Sequence, residues 1–393
     1  ALLPGDNTHD GTCVKTHDGS CLHLFGGWIL DTRINGFQTA VQPALTPAHE
    51  TEQTRRLTSF AHGGGCGCKV EPAELKRILK HIPTLEPHPS LIVGVENSDD
   101  AAVYQISGDQ ALVFTNDFQT PIIDDPYVFG CAAAANALSD VYAMGGTPIM
   151  ATAIAGFPIH DVKTEEMQNI MRGGIDICTS AQVPLAGGHT IENPQPIFGL
   201  AVVGTVHPKK IKTNSGSRPG DKIILTKPLG IGILASALRI DMLSDTEYQL
   251  FVETITEINS AGAWLGSIPE VHGLTDITGF GLAGHLVEMA EGARVRMVVD
   301  TDSVPIYPAA ETLAREGVFP GGAYRNMDAY NSRLSFGDDW DIDRQLVFTD
   351  PQTNGGLLLS VEPQAAEDIL ARLHEFGCAE SSIIGEVDED HGD

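Results

Sequence analysis

The stretch that most limits what this chain can become is His62-Gly63-Gly64-Gly65-Cys66-Gly67-Cys68-Lys69. Four glycines give the backbone conformations closed to other residues and let it approach a ligand closely. Two thiols lie beside one ammonium, and a neighbouring cation favours the thiolate, the nucleophilic form of cysteine. The segment therefore reads as a mobile arm that carries chemistry, with either Cys able to attack or hold an electrophile. It is not a P-loop, which needs Gly before the Lys and Ser or Thr after it, whereas Cys68 and Val70 stand there. Cys-x-Cys supplies two of the four ligands of a structural zinc site, with no second pair in view. A flexible glycine linker that happens to hold two thiols is the remaining alternative.

With 393 residues the chain is long for one domain and comfortable for two, each with a real core. A formal charge of −28 argues against nucleic acid or an anionic membrane as partner, since both would be repelled. No apolar run approaches the length of a bilayer span, and the opening residues lack the basic start and apolar core of a secretory signal, so the expectation is cytoplasmic. Seven cysteines, an odd number spread thinly, do not suggest a disulfide framework.

Residues 1–57 are rich in Thr, His, Asp, Gly and Pro and are expected to form a disordered extension. Cys13, His17, Cys21 and His23 lie there at a spacing that fits no common metal site. The catalytic arm and a helix fill 58–90, the helix predicted from Glu71 to Ile82 by Leu75, Ile78, Leu79 and Ile82 on one stripe. Residues 91–207 read as an α/β domain. Strands are predicted at Leu91–Val95, Ala101–Ile106 and Ala111–Thr115, with Asp99 and Asp100 before the second and Asp117 closing the third, where loops meet and ligands commonly sit. A helix follows from Pro126 to about Met144, capped by Asp125. It is mostly small and apolar, so Asn136 and Asp140, four apart and on one face, stand out. A buried acid on such a helix needs a cation or donors. Ala186-Gly187-Gly188-His189-Thr190 reads as a turn between two strands whose N–H groups can face phosphate oxygens.

Residues 208–221, rich in Lys, Ser, Gly and Pro, read as a linker to an α+β domain over 222–393. There Gly279-Phe280-Gly281-Leu282-Ala283-Gly284 matches a dinucleotide fingerprint. That reading fails, because no second mononucleotide half follows and Asp276 would be unexplained. The turn instead lets Asp276 face a metal while the helix N-terminus faces an anion. Asp100, Asp117, Asp140 and Asp276 converging in one cleft would resist ionising unless divalent cations neutralised them. Oxygen ligands of that kind suit Mg²⁺ bridged to nucleotide phosphates, with Lys69 on a terminal phosphate.

Seven stretches in order resemble one family, selenophosphate synthetase, also called selenide, water dikinase. They are residues 62–69, Asp-Asp-Ala-Ala-Val-Tyr at 99–104, Asp-Phe-Gln-Thr-Pro-Ile-Ile-Asp-Asp-Pro at 117–126, and Asn-Ala-Leu-Ser-Asp-Val-Tyr-Ala-Met-Gly-Gly at 136–146. Ala-Gly-Gly-His-Thr at 186–190, Thr-Asp-Ile-Thr-Gly-Phe-Gly at 275–281 and Asp-Pro-Gln-Thr-Asn-Gly-Gly-Leu-Leu at 350–358 complete the set. The resemblance runs from about Leu57 almost to residue 393. It implies a two-domain α+β fold of the aminoimidazole ribonucleotide synthetase (PurM-like) type, with N-terminal domains forming a β-barrel across a homodimer. It also implies the reaction of ATP, selenide and water to selenophosphate, AMP and phosphate, with Mg²⁺ and K⁺ as cofactors and selenide free or brought by a delivery protein.

By position, the family would make Cys66 the nucleophile or selenium carrier and put Lys69 on the phosphates. Asp100, Asp117, Asp140 and Asp276 would hold Mg²⁺, and Asn97, Ser98 and Asp99 would lie along the nucleotide. Gly188, His189 and Thr190 would reach ATP from the partner subunit. Many members carry selenocysteine where this chain has Cys66, so this form would not need its own product in order to be made. A same-fold kinase with another acceptor and a non-catalytic nucleotide-binding relative are the alternatives.

Overall fold

A computed structural model describes residues 13–15, 21–25, 28–31, 56–61, 63–70, 72–80, 88–94, 99–337 and 340–390. Residues 1–55 form a unit of their own, and residues 56–393 form a second. In the first, β1 (Cys13–Lys15), β2 (Cys21–Phe25) and β3 (Trp28–Asp31) pair antiparallel in that order, within the segment expected to be disordered. The Cys and His side chains considered there as metal ligands lie outside the described residues.

The second unit opens on the arm and α1 (Pro72–Leu79), shorter than the helix predicted over 71–82. Its N-terminal half holds β4 (Leu91–Val93), β5 (Ala102–Gln105), β6 (Ala111–Gln119), α2 (Pro126–Ala143), β7 (Thr147–Phe157), α3 (Thr164–Ser180), β8 (Leu185–Glu192) and β9 (Ile197–Val206). The strands make one sheet in the order β4-β5-β6-β9-β7-β8, antiparallel except for β7 beside β8. Two expectations change here. β6 runs four residues further than predicted, so Asp117 lies within the strand, paired with Leu200, rather than closing it. Residues 186–190 lie inside the edge strand β8 and are not a turn between strands. The reason is steric: a Cβ on Gly188 would sit 2.2 Å from the Ala153 carbonyl oxygen, so glycine is what lets β8 pair closely with β7.

One face of this sheet carries α2 and α3. Asp125 caps α2 by accepting from the Val128 N–H at 3.0 Å, and Pro126 takes the first turn. The small residues that follow let α3 come in closely, since a Cβ on Gly130 would lie 1.9 Å from the Ile170 carbonyl oxygen. The other face alternates outward and carries the exposed side chains of Tyr104, Phe114, Phe118 and Met150.

Residues 208–221, read as a linker, pack against the body: the Lys212 ammonium is buried and donates to the carbonyls of Ile268 and Val271. Beyond them come β10 (Lys222–Leu225), α4 (Ile231–Arg239), α5 (Asp245–Thr256), α6 (Ala261–Leu265), β11 (Val271–Asp276), α7 (Gly281–Ala293), β12 (Val295–Val299), α8 (Pro308–Arg315), α9 (Gly321–Tyr330), α10 (Ile342–Phe348), β13 (Leu357–Val361), α11 (Ala366–Glu375) and β14 (Ser382–Glu389). The second sheet is ordered β11-β13-β10-β14-β12. Ile224, Leu274, Leu357, Leu359, Ile369 and Leu373 fill its core, each contributing roughly 1.5–3 kcal/mol on burial. α2 joins the halves by touching β6 and β9 on one side and α5, α6 and β11 on the other. The architecture is α+β, and among the described residues no helix is long and apolar enough to cross a membrane.

Candidate active site

The arm folds back over the junction that α2 creates. Gly65 pairs with Thr120 just past β6, at φ +56°, where a Cβ would strike the Thr353 hydroxyl. A short turn of 3₁₀ helix, Cys66–Cys68, follows. Cys66 is 1 % exposed: its N–H donates to Thr353 Oγ1 at 3.0 Å, and its Sγ faces Asn136 Oδ1 at 3.2 Å and Gln119 Oε1 at 3.5 Å. Cys68 is exposed. The two thiols that look alike in the sequence thus differ completely in surroundings.

Asn136, on the buried face of α2, is held from three sides. Its Oδ1 accepts from the Asn354 N–H at 2.7 Å, and its Nδ2 donates to Asp117 Oδ2 at 2.6 Å. Asn354 sits at φ +52°, a conformation Asn tolerates, and its Nδ2 donates to the Ile255 and Glu257 carbonyls. Lys227, buried, donates to the Asn354 and Glu257 carbonyls, and burial lowers its ammonium to about 8. The loop 350–356 is in this way fixed from behind while its front face meets the arm.

The four expected metal ligands share one electrostatic environment. Asp140 accepts from Thr115 Oγ1 at 2.5 Å, and Asp100 accepts from Thr275 Oγ1 at 2.9 Å. Asp276 closes β11 and is 1 % exposed, whereas the other three are half-buried and keep part of their hydration. Burial, then Asp276 and Asp140, hold the Asp100 carboxyl well above the ordinary range. Burial, then Asp117 and Asp276, do the same to Asp140, and burial raises Asp117 against the pull of Lys69 and Asn136. Burial pushes Asp276 up to about 6, with Ser139 and Lys69 opposing. Burial works against the Lys69 ammonium, yet Asp117, Cys66, Asp140 and Asp276 together hold it above the usual lysine range. Solvent reaches Lys69, so water screens both the burial contribution and the attraction to the carboxylates. Its Nζ also lies 5.9 Å from the centre of the Phe280 ring.

A divalent cation suits this set. Oδ2 of Asp100 and of Asp276 are buried without a hydrogen-bond partner, and neighbouring carboxylates raise Asp100, Asp140 and Asp276, which a cation would reverse. Among the described residues, however, no three acids, His or Cys stand close enough to enclose an ion unaided. Oxygens from a bound ligand would have to complete the shell, as phosphates do for Mg²⁺.

The remaining expected residues lie apart. Asp99 Oδ1 accepts from the Asn214 N–H at 2.8 Å, tying it to the segment that joins the halves. Gly188, His189 and Thr190 are exposed along the edge strand β8. Asn97 and Ser98 lie outside the described residues. Sequence reasoning assigned no role to Gln119, Thr353 or Asn354, whose contacts to the arm and to α2 cross up to 287 residues of chain.

Residues 98–206 match the AIR synthase related protein N-terminal domain, and residues 218–393 match the corresponding C-terminal domain. The chain is 47 % identical to a selenide, water dikinase from Burkholderia orbicola over 89 % of this chain and 96 % of that protein. It is 45 % identical to one from Dechloromonas aromatica over 86 % and 97 %. A solved thiamine-monophosphate kinase from Stenotrophomonas maltophilia is similar in fold alone, with TM-score 0.55 at 19 % identity over 81 % of this chain and 93 % of that one. The chain belongs to the selenide, water dikinase family, on the two-domain AIR synthase fold.

Proposed function

We propose that the protein makes selenophosphate from ATP, selenide and water, releasing AMP and phosphate. What carries the reading is the placement of Cys66 by a glycine arm against Asn136, one residue's contact from Asp117, in a chain so similar to selenide, water dikinases. Cys66 serves as nucleophile or selenium carrier. Lys69 meets the terminal phosphates. Asn97, Ser98 and Asp99 run along the nucleotide.

Asp100, Asp117, Asp140 and Asp276 are the residues that would hold Mg²⁺, which neutralises phosphate charge when bound. Phosphoryl transfer asks the protein mainly for positioning and charge neutralisation, and this chain's own part is to aim Lys69 and keep Cys66 dry. The glycines before Cys66 let the arm swing as a lid that excludes water and retains selenide. A lid of this kind predicts that ATP with Mg²⁺ protects the arm from proteolysis, and unchanged cleavage would count against it.

The exposed apolar face of the N-terminal sheet supports a homodimer closed through these sheets, which would bring Gly188, His189 and Thr190 to the partner's ATP. Phe114→Asp is expected to halve the mass measured by light scattering and to lower turnover with it. A variant of unchanged mass would reject that interface.

Product analysis tests the reaction. Selenide-dependent formation of AMP with phosphate is the expected result, in the presence of Mg²⁺ and K⁺. Selenide-independent ADP would point to a kinase with another acceptor, and absence of any product to a non-catalytic nucleotide binder.

A further inference from the structure

The Cys66 sulfur is met by two side-chain amides, and both turn an oxygen toward it. Two acceptors suit a thiol, which has a proton to give. They do not suit an anion, and at neutral pH selenide is present as the hydrogenselenide anion. The charged groups around Cys66 are Asp117 on β6, Asp276 on β11 and Lys69 on the arm, with Cys68 the other titratable neighbour. Two of the three charges are negative, so an anionic chalcogen brought to Cys66 needs a donor.

The two amides differ in their freedom to become that donor. Asn136 is pinned, because its oxygen takes the Asn354 N–H and its nitrogen gives to Asp117, so turning it would break both bonds. Gln119 is not pinned. It is 2 % exposed at the last position of β6, and its Nε2 has no hydrogen-bond partner. A buried N–H donor left without an acceptor is uncommon in a folded protein and calls for one. Turning the Gln119 amide about its last bond breaks only the 3.5 Å contact to sulfur and puts an N–H in the place of the oxygen.

We propose that Gln119 is a specificity-determining residue that turns its amide to donate to the hydrogenselenide anion held against Cys66. This rests on the reading of Cys66 as the selenium site. No covalent step is involved: the anion exchanges water for the Gln119 N–H and the Lys69 ammonium.

The test is Gln119→Met, which keeps the length and removes the donor, beside Gln119→Glu, which is isosteric and cannot donate when ionised. A hydrogen bond to a charged group converts to about ten- to a hundredfold in affinity. The KM for selenide is therefore expected to rise by about that factor, while the KM for ATP stays within about twofold. Anaerobic equilibrium dialysis of ⁷⁵Se-labelled selenide without ATP reads the same loss with no turnover at all. Selenide KM and dialysis both unchanged in the two variants would overturn the proposal, as would an equal rise in the KM for ATP, which marks a general distortion. A wild-type protein that binds labelled selenide through Gln119 but makes no selenophosphate would leave this inference standing and reject the proposed reaction instead.

Discussion

Cys66→Ser is expected to abolish selenophosphate formation, a loss of at least about a thousandfold, because a hydroxyl is far less easily ionised than a thiol and is a poor partner for selenium. Cys68→Ser should fall by less than about tenfold, since that side chain is exposed. The contrast rests on position. Burial, then Asp117, push the Cys66 thiol well above its ordinary range, so the closed arm stores it as a protonated thiol shielded from oxidants. Ser at position 66 still fits the Asn136 contact, so Cys66→Ser should bind ATP with near wild-type affinity. Measuring both constants separates chemistry from binding, and equal loss of activity in the two variants would remove the distinction.

The second large effect joins activity to stability. Asp276→Asn is expected to lower turnover by at least about a hundredfold, through loss of one of the four carboxylates proposed to hold Mg²⁺. Without nucleotide the same variant should be more stable than wild type at pH 8. The sign follows from linkage: a carboxyl whose folded value is raised to about 6 favours folding while protonated, and that advantage is lost as pH rises through 6. At pH 8 the ionised group therefore costs stability, by up to about 3 kcal/mol for a shift of some two units. Asn carries no charge and pays none of this. Melting curves from pH 4 to pH 8 should fall less steeply for Asp276→Asn than for wild type, and a variant less stable at pH 8 would contradict this account.

Much of this was legible in the sequence because it is local. The Asp125 cap, the small-residue face of α2 with Asn136 and Asp140 four apart, and the glycines of the arm each announce themselves within a few residues. Asp117 stands out in the sequence although the strand end does not, since β6 continues through Asn116 and Asp117, polar residues that alternation alone reads as a strand end. The 186–190 stretch misled for a related reason. Two adjacent glycines signal a turn locally, but here Gly188 answers to a neighbouring strand whose backbone leaves no room for a Cβ.

What stayed hidden depends on contacts that no local pattern carries. Asn354 meets Asn136 across 218 residues, and Thr353 meets Cys66 across 287. Gln119 is an ordinary polar residue at a strand end until the fold buries it beside a thiol with its nitrogen unpaired. Likewise, the repulsion among four carboxylates exists only once α2, β6 and β11 are brought together. Spacing suggests which acids to watch, and only the packing says that they titrate as neighbours.

The most direct measurement is ³¹P NMR of the purified protein with ATP, Mg²⁺ and K⁺ under anaerobic conditions, with and without selenide. The account predicts a selenophosphate resonance that appears only with selenide and is accompanied by AMP and phosphate. ATP converted to ADP regardless of selenide, or ATP left intact with selenide present, would contradict it.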